Sequence, residues 1–514
     1  MQDENLIIKV AVLSVYVGIL FLIGILASRR VKSMSDYYVG GKKMGFWAVA
    51  FSARATGESG WLLIGLTGMG AMAGYSGYWV VVGELLGVFV SWQFMAKRFK
   101  RKSDRYGAIT IPDYLQSHFK TKTHTLRIIA ASVLVTFIVI YVASQIDVTG
   151  VAFESMLGID YRLGALIGFL IVLAYIFIGG FVAAVWSDLF QGLLMFFGLV
   201  LLPIVVWFSM DHGVGITEGL NAIDPTLTQV MGRSDDGWMN LFTILGFSMI
   251  GLGFLGSPQV YVRFMSIKDT KEIDKGKWVA TIFTLLTDAA AVTIGILARI
   301  YFTKEGQDPE AILGNNGEDV LSMITESFLP TLLVAVFIAI VLSAIMSTID
   351  SLLILASSAI TRDFYQKIFR PDLKDENLTK ISRTSTIIMA FTALIIAIIM
   401  NWVSPDRQIF WVIIFGWSGI AATFCPVIIL SLFWKGYSEK GAIASMISGF
   451  VSVMLFNFVF KEMPNIGAYF EAVDVLFPSF VVAMIVGVIV SKMYPPRVES
   501  IDKIEEVDVN LLDK

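Results

Sequence analysis

The sequence is poor in the residue types that build metal centres, disulfide frameworks and solvated surfaces. It contains one cysteine, Cys425, and three histidines, and only 16% of its residues are charged. A single cysteine excludes an intramolecular disulfide framework and any site with several cysteine ligands. The histidines, His118, His124 and His212, lie between apolar runs, where we expect solvated loops. The sequence shows no grouping of a nucleophile with a base, or of metal ligands, that would indicate an enzyme. The net charge of -3 does not indicate nucleic acid as a partner.

Apolar residues dominate instead, at 56% of the 514 residues, with a mean hydropathy of +0.74. Soluble domains carry roughly 25% charged residues, so this chain has too few to solvate a globular surface. The charges form short islands between long apolar runs, which predicts an all-α polytopic membrane protein with about 13 transmembrane helices. The predicted spans are 6–28, 46–72, 76–96, 127–155, 162–182, 187–210, 239–260, 278–301, 329–360, 384–402, 409–433, 441–460 and 474–492.

The placement of lysine and arginine predicts the orientation in the membrane. Cytoplasmic loops of membrane proteins carry an excess of both residues. The basic loops are 29–43, 97–126, 261–277 and 361–383, whereas the loops at 211–238 and 302–328 are acidic or neutral. We therefore predict a multi-pass protein of the bacterial cytoplasmic (inner) membrane, with its N-terminus outside and its C-terminus inside. The lipid bilayer is then a partner, and no obligate protein partner is evident.

Two spans are interrupted by small and polar residues, at Phe51–Trp61 and at Gly251–Pro258. Paired interruptions in corresponding helices of two halves indicate the central site of a transporter. The alternative is that these glycines only allow close helix packing. The interrupted spans are five apart, which predicts two inverted five-helix repeats with one extra helix before them and two after. The predicted segments are 1–45 (extra helix and loop), 46–210 (first repeat), 211–238 (extracellular loop), 239–433 (second repeat), 434–496 (two C-terminal helices) and 497–514 (cytoplasmic tail).

Four segments resemble the sodium/solute symporter family, and most closely its sodium/proline symporter branch. They are Ser52–Gly65 (SARATGESGWLLIG), Ala108–Phe119 (AITIPDYLQSHF), Ile178–Gln191 (IGGFVAAVWSDLFQ) and Ser343–Tyr365 (SAIMSTIDSLLILASSAITRDFY). The resemblance extends over nearly the whole chain. It implies an amino-acid-transporter-like core that works by alternating access. It also implies sodium-coupled import of a small organic solute, an amino acid such as proline, with Na⁺ as the co-transported ion.

The resemblance implies a set of oxygen ligands for Na⁺. The hydroxyls of Ser347 and Thr348 and the carbonyl of Ala344 would bind the ion from one helix. The carbonyls of Ala55 and Glu58, at the interrupted first core helix, would complete the shell. The alternative is that the two hydroxyls only bond back to their own helix.

Asp188 lies inside a predicted span, where a carboxylate indicates a functional site. By the resemblance it lies near a second sodium, and the alternative is a structural N-cap for the helix that begins there. Asp350, close to the cation hydroxyls, either orders its helix or lines the inward exit.

The first interrupted helix departs from the family pattern. Proline transporters have an aspartate where this chain has Gly57. The chain instead has Arg54 and Glu58 four residues apart, which places them on one helix face. Either charge buried alone is costly, so we predict a pair. Glu84 and Asp147 also lie within spans as possible partners of Arg54, so the expected buried charge network comprises Arg54, Glu58, Glu84 and Asp147. It is either structural or in contact with a charged or zwitterionic solute.

The expected solute site also departs from the pattern, because Ile250 and Phe254 replace a tryptophan and a tyrosine of proline transporters. The candidate solute residues are Thr56, Ser59, Gly60, Trp61, Tyr141, Gln145, Phe254 and Pro258. A less polar pocket leaves other solutes open, namely a monocarboxylate, a sugar or another zwitterion. Proton coupling through Glu58, Glu84 or Asp147, and a transporter-like sensor, are the remaining alternatives.

Overall fold

The fold is described by a computed structural model for residues 2–210, 215–373, 375–404 and 409–496. Extended structure in this described part is limited to one isolated bridge between Met44 and Ile267, so the predicted all-α architecture is confirmed. The predicted tail at 497–514, the first four residues of the predicted loop 211–238 and His212 lie outside the described residues.

The N-terminal half contains the long helices of the predicted first repeat. Its helices are α1 (Gln2–Ser28), α2 (Met34–Val39), α3 (Phe46–Gly60), α4 (Thr67–Ala73), α5 (Tyr78–Val90), α6 (Ala96–Arg105), α7 (Ile111–Phe119), α8 (Thr125–Leu157) and α9 (Tyr161–Ser209). Turns of 3-10 helix lie at Gly40–Lys42 and Gly74–Gly77, and π-helical turns at Trp61–Leu66 and Ser91–Met95. Most of these short turns connect longer helices, so the chain continues through them.

The C-terminal half has the same character. Its helices are α10 (Ile216–Ile223), α11 (Gly237–Met249), α12 (Pro258–Ser266), α13 (Thr270–Phe302), α14 (Pro309–Leu313), α15 (Val320–Phe328), α16 (Thr331–Ser358), α17 (Asp375–Val403), α18 (Ile409–Phe433), α19 (Glu439–Leu455), α20 (Gly467–Val473) and α21 (Leu476–Met493). Turns of 3-10 helix lie at Pro225–Thr228, Ile250–Leu255 and Asn315–Gly317, and π-helical segments at Ala359–Phe369 and Phe456–Phe460. The segment Ile250–Leu255 lies at the second predicted interruption.

Within the described residues, 11 helical segments are long and apolar enough to cross a bilayer. The longest, Phe46–Arg105, has 60 residues and turns at Gly74, where φ is 62°, so it contains two predicted spans. Tyr161–Ile176 is a shorter apolar helix at the predicted span 162–182. Every predicted span therefore coincides with a helix, while the number of thirteen crossings stays a prediction.

The surface and the core have the composition of a membrane protein. Large side chains such as Leu22, Phe197 and Ile395 are more than half exposed, which a water-soluble monomer tolerates only in small patches. The most apolar window of α16 is 83% buried, whereas that of α1 is 28% buried. Helix α16 therefore runs through the centre of the fold, and α1 lies at its periphery.

Glycines allow α5 to approach the interrupted segment Ile250–Leu255 at backbone distance. A Cβ atom at Gly83 would lie 1.9 Å from the carbonyl oxygen of Ser248, and one at Gly251 would lie 2.0 Å from the carbonyl oxygen of Gly83. The packing interpretation is therefore correct for Gly251, as expected for small residues at helix contacts in membranes. It does not exclude the site interpretation, because the 3-10 turn still interrupts the span.

The basic segment at 97–126 is more ordered than the sequence indicated. It contains α6 and α7, and His118 in α7 is only 5% exposed, with Nδ1 3.2 Å from the Tyr106 hydroxyl. The prediction of a solvated loop is therefore wrong for His118, whereas His124 is exposed as expected. Burial lowers the pKa of His118 to about 3, because desolvation disfavours the charged ring. His118 is therefore neutral at physiological pH.

Candidate functional site

The centre of the fold contains a break in α3. Ser59 has a φ of 40° and a ψ of -167°, which interrupts the helix next to Glu58 and Gly60. Residues other than glycine rarely adopt a positive φ. Backbone groups freed inside a membrane are tolerated only against protein or a watery cavity. The small and polar residues of this segment predicted the interruption.

Two side chains of α8, one turn apart, face this break. Gln145 Oε1 accepts a hydrogen bond from the Gly60 amide at 3.0 Å, and the Tyr141 hydroxyl donates one to Ser59 Oγ at 3.4 Å. Trp61 Nε1 donates to a backbone carbonyl one turn earlier in the chain. Five of the predicted solute residues therefore lie together. Among the described residues, Gln145 Nε2 is buried and has no hydrogen-bond partner.

Two other predicted solute residues belong to the second interruption. The ring of Phe254 lies 4.6 Å from the guanidinium carbon of Arg54 and 5.0 Å from the ring of Trp417. Pro258 opens α12, a position where its missing amide hydrogen leaves no helical bond unmade. Phe254 therefore joins the two interruptions, whereas Pro258 starts a helix.

The predicted cation site lies where α16 crosses the broken helix. Ser347 Oγ is 2.9 Å from the carbonyl oxygen of Ala55 and 3.1 Å from that of Ala344. Thr348 Oγ1 is 3.1 Å from the carbonyl oxygen of Thr56 and 3.2 Å from that of Ala344. Both hydroxyls therefore lie within hydrogen-bond distance of carbonyls of their own helix, as the alternative expected, and also of carbonyls of the broken helix.

Two carbonyls around this crossing differ from the expected ligand set. The carbonyl of Glu58, predicted as a ligand, accepts the backbone hydrogen bond of Trp61. The carbonyl of Thr56, which was predicted only as a solute residue, contacts Thr348 instead. The structure thus brings four of the five predicted ligands together and adds an oxygen from Thr56.

Below this crossing, Arg263 of α12 connects four helices. It is 1% exposed. Its Nη2 atom lies 2.9 Å from Asp188 Oδ2 and 2.5 Å from Thr56 Oγ1, and also contacts Ser351 Oγ, while its Nε donates to Ser52 Oγ at 2.7 Å. We call Arg263, Asp188, Ser52, Thr56 and Ser351 the inner network. Thr56 belongs to it through its side chain and to the cation crossing through its carbonyl.

Asp188 is not an N-cap. Helix α9 begins after Asp160 and breaks at Gly180, so Asp188 lies two turns inside the second part of the helix. The alternative that Asp188 is a structural N-cap is therefore wrong.

The carboxylate of Asp350 accepts hydrogen bonds from Tyr175 at 3.0 Å and Ser351 at 2.9 Å. Asp350 therefore extends the inner network toward α9.

A cluster of buried charges lies beside the break. Arg54 Nη2 contacts Glu58 Oε1 and is 3.1 Å from Glu84 Oε2, so the predicted pair is present and includes Glu84. One carboxylate oxygen from each of Glu58, Glu84 and Asp288 lies within 4.8 Å of the others. Asp147, expected in this network, accepts a hydrogen bond from the Tyr161 hydroxyl. The third carboxylate of the cluster is therefore Asp288, from α13.

Comparisons with known proteins decide the family. A family model described as the Sodium:solute symporter family matches residues 37–449. The High-affinity proline transporter PutP of Bacillus subtilis (strain 168) is 34% identical over 460 residues, which are 87% of this chain and 93% of that protein. The Sodium/proline symporter of Staphylococcus aureus is 31% identical over 490 residues, covering 94% and 92%. The chain belongs to the sodium:solute symporter family.

Family membership makes the chain a sodium-coupled solute symporter and a multi-pass membrane protein, not an enzyme. A Na⁺-coupled sialic acid symporter has the same fold, with a TM-score of 0.77 and 20% identity over 95% of this chain and 98% of that one. MhsT in complex with L-phenylalanine aligns with a TM-score of 0.51 and 13% identity over 87% and 98%. The predicted transporter-like core is thereby confirmed for the symporter.

Sequence reasoning missed two residues that the structure makes central, Arg263 and Asp288. Arg263 was assigned to a cytoplasmic loop because the apolar run seemed to end near residue 260. Asp288 lies in the predicted span 278–301, and an acid at that depth is a signal of function that was overlooked. Both are buried, at 1% and 0% exposure.

We expect Gly57→Ala to lower solute uptake by the symporter severely. A Cβ atom at position 57 would lie 2.8 Å from Phe254 Cε1 and 3.8 Å from Arg54 Nη1, so the ring must leave the guanidinium. The matched control is Gly18→Ala, in α1, where no atom of the described structure lies within 4 Å of the added carbon. Initial uptake rates of both variants measure the effect. Wild-type uptake by Gly57→Ala would mean that transport does not depend on the contact between Phe254 and Arg54.

Proposed function

We propose that the symporter imports proline together with Na⁺ across the bacterial cytoplasmic membrane. The observation that carries this proposal is the group at the break of α3, where Gln145 presents a buried amide nitrogen that lacks a partner in the described structure. A solute carboxylate is the natural acceptor for such a donor. The identity of 34% to a proline transporter over 87% of the chain supports the choice of solute.

The solute site that we propose combines a polar side and an apolar side. Ser59, Tyr141 and Gln145 supply the polar side, next to backbone amides at the start of the second half of the broken helix. Such half-helix N-termini bind solute carboxylates in other transporters. Phe254 and Trp61 supply flat apolar surfaces that suit a saturated ring. The proposed site also includes Gly60, Thr56 and Pro258, which either contribute backbone atoms or lie next to the residues that contact the solute.

The Na⁺ site that we propose is the crossing of α16 and α3. Ala55, Ala344, Ser347 and Thr348 offer two carbonyl and two hydroxyl oxygens whose contacts are 2.9–3.2 Å long. The carbonyl of Glu58 completes the proposed set. Sodium bound there would tie α16 to the broken helix, and solute bound at the same break would favour the same closed arrangement. Coupling is then the shared stabilisation of one conformation.

A second Na⁺ at Asp188 is proposed only for a conformation in which the inner network has opened. In the described conformation Arg263 lies 2.9 Å from Asp188 Oδ2, and a guanidinium at that distance competes directly with a cation. Asp188 Oδ1 is buried without a partner in the described residues. Once Arg263 moves, both carboxylate oxygens would be available to sodium on its way to the cytoplasm.

We also propose that the N-terminus lies outside and the C-terminus inside, with the inverted repeats at 46–210 and 239–433. The basic loops support this orientation. In it, sodium enters down the membrane potential, which contributes about 2.3 kcal/mol per charge per 100 mV. That energy is sufficient to concentrate a neutral zwitterion.

The test is uptake of labelled proline into proteoliposomes, with an inward Na⁺ gradient against a matched K⁺ gradient. We expect accumulation with Na⁺ only, because Na⁺ is the proposed coupling ion and a K⁺ gradient then supplies no driving force. An excess of unlabelled proline must compete, and liposomes without protein give the background. Accumulation with K⁺, or none with either ion, would contradict the proposal. A screen of monocarboxylates, sugars and other zwitterions by Na⁺-dependent thermal stabilisation would then identify the solute.

A further inference from the structure

The charge cluster beside the break has more acids than its cation can balance. Arg54, Glu58, Glu84 and Asp288 are all 0–1% exposed. Three ionised carboxylates and one guanidinium leave two uncompensated negative charges in the core. Unpaired buried charges cost several kcal/mol each, so the ionised cluster requires additional positive charge, either as protons on its carboxyl groups or as a bound cation.

The contacts leave open oxygens for that charge. Arg54 contacts Glu58 through Oε1 and Glu84 through Oε2. Glu58 Oε2 and Asp288 Oδ2 are buried and have no hydrogen-bond partner within the described ranges. One oxygen from each of the three carboxylates lies within 4.8 Å of the others across three helices, and two of the three carboxylates keep an oxygen without a donor. This arrangement suits a bound cation better than a closed ion pair does.

The surroundings favour a monovalent cation over a divalent one. Calcium takes six to eight oxygens and magnesium needs octahedral geometry, whereas Arg54 already occupies one oxygen on each of two carboxylates. Glu58 also precedes the half-helix that starts after Ser59, whose N-terminus carries roughly half a positive charge. Together with that partial charge and the guanidinium of Arg54, a single monovalent cation nearly balances the three carboxylates.

We propose that Glu58, Glu84 and Asp288 form a binding site for a monovalent cation, separate from the crossing at Ser347 and Thr348. The cation is either a further Na⁺ or the ammonium group of the solute, because both bring one positive charge to the same oxygens. If the cation is Na⁺, the proposal rests only on sodium coupling. If the cation is the solute ammonium, it rests on the proposed amino-acid solute.

The position explains how such a site would act in transport. Glu58 lies in α3, Glu84 in α5 and Asp288 in α13, so the cation joins three core helices at the break. The guanidinium carbon of Arg54 lies 4.6 Å from the centre of the Phe254 ring, so the cluster also adjoins the second interruption. The site also accounts for Gly57, because a family-type aspartate is not needed where Glu58 and Asp288 supply the carboxylates.

The first experiment counts sodium without any solute. Equilibrium binding of radiolabelled Na⁺ to the purified symporter is compared for the wild type, Asp288→Asn and Glu84→Gln. If Na⁺ is the cation, we expect these variants to bind about one equivalent less, or to bind it at least about tenfold more weakly. Ser347→Ala with Thr348→Ala should keep the equivalent that Asp288→Asn loses. Glu326→Gln, at a surface pair with Lys9, is the control.

The second experiment compares proline with its ring analogue in which oxygen replaces the nitrogen. If the solute ammonium is the cation, the wild type should prefer proline at least about tenfold, and Asp288→Asn should lose that preference while its sodium count is unchanged. Glu84→Gln repeats both measurements if Asp288→Asn does not fold. An unchanged sodium count together with an unchanged preference in the folded variant overturns the proposal. A loss of sodium binding in the variants, measured in the absence of solute, supports the proposed cation site even if proline is not transported.

Discussion

Replacing Ser347 and Thr348 together with alanine should raise the Na⁺ concentration for half-maximal uptake at least about tenfold, which is 1.4 kcal/mol of binding. The two hydroxyls supply two of the five oxygens found at the crossing and are the only side-chain oxygens in the proposed set. Na⁺-dependent proline uptake measures the change at saturating solute.

The matched control for this double variant is Ser343→Ala. Ser343 lies on the same helix and is fully buried, and its Oγ lies 2.7 Å from the Ala339 carbonyl oxygen and 3.0 Å from the Tyr16 hydroxyl. The double variant and the control therefore both remove buried hydroxyls from α16, two and one respectively, but only the double variant changes the crossing. An unchanged Na⁺ dependence in the double variant, or an equal shift in the control, would move the ion elsewhere.

Local patterns predicted the parts of the site that depend on neighbouring residues in the chain. The apolar runs predicted the helices because a bilayer admits few other structures. The small residues around Gly57 predicted the break. The four-residue spacing of Arg54 and Glu58 predicted their pair, since such residues share a helix face.

Contacts between distant segments were not predictable in the same way. Asp288 is 230 positions after Glu58, and no periodicity in the sequence indicates that they meet. The sequence places Arg263 in a loop because the apolar run ends near residue 260, whereas α12 continues to Ser266 and buries this side chain. Asp147 was expected to pair with Arg54, but it accepts a hydrogen bond from Tyr161, where α8 packs on α9. Residue type alone did not distinguish these partners.

Thr56 connects the cation crossing to the inner network. Its carbonyl accepts from Thr348 at 3.1 Å, and its hydroxyl lies 2.5 Å from Arg263 Nη2. A cation that draws the carbonyl of Ala55 or Thr56 toward α16 therefore also acts on the contacts that hold α12 to α9. This is a direct physical link between the proposed ion site and the inner network.

Arg263→Met should destabilise the symporter more than Arg263→Met combined with Asp188→Asn. Removing one partner leaves Asp188 as an uncompensated buried charge, which costs about 3–5 kcal/mol, whereas removing both charges is often nearly neutral. The midpoints of thermal unfolding of the purified variants at fixed Na⁺ measure the difference. Arg233→Met is the control, because its pair with Asp224 is roughly one-third exposed and surface pairs contribute about 0–1 kcal/mol.

The same variants separate a structural role of the inner network from a role in opening. If the network holds the inward side closed, the double variant should regain stability but not concentrative uptake, because α12 is then free to leave α9. Full recovery of both stability and concentrative uptake in the double variant would show that the inner network serves only to balance buried charges. A single variant as stable as the double one would show that Asp188 finds another partner when Arg263 is absent, and the proposed competition between Arg263 and sodium would be wrong.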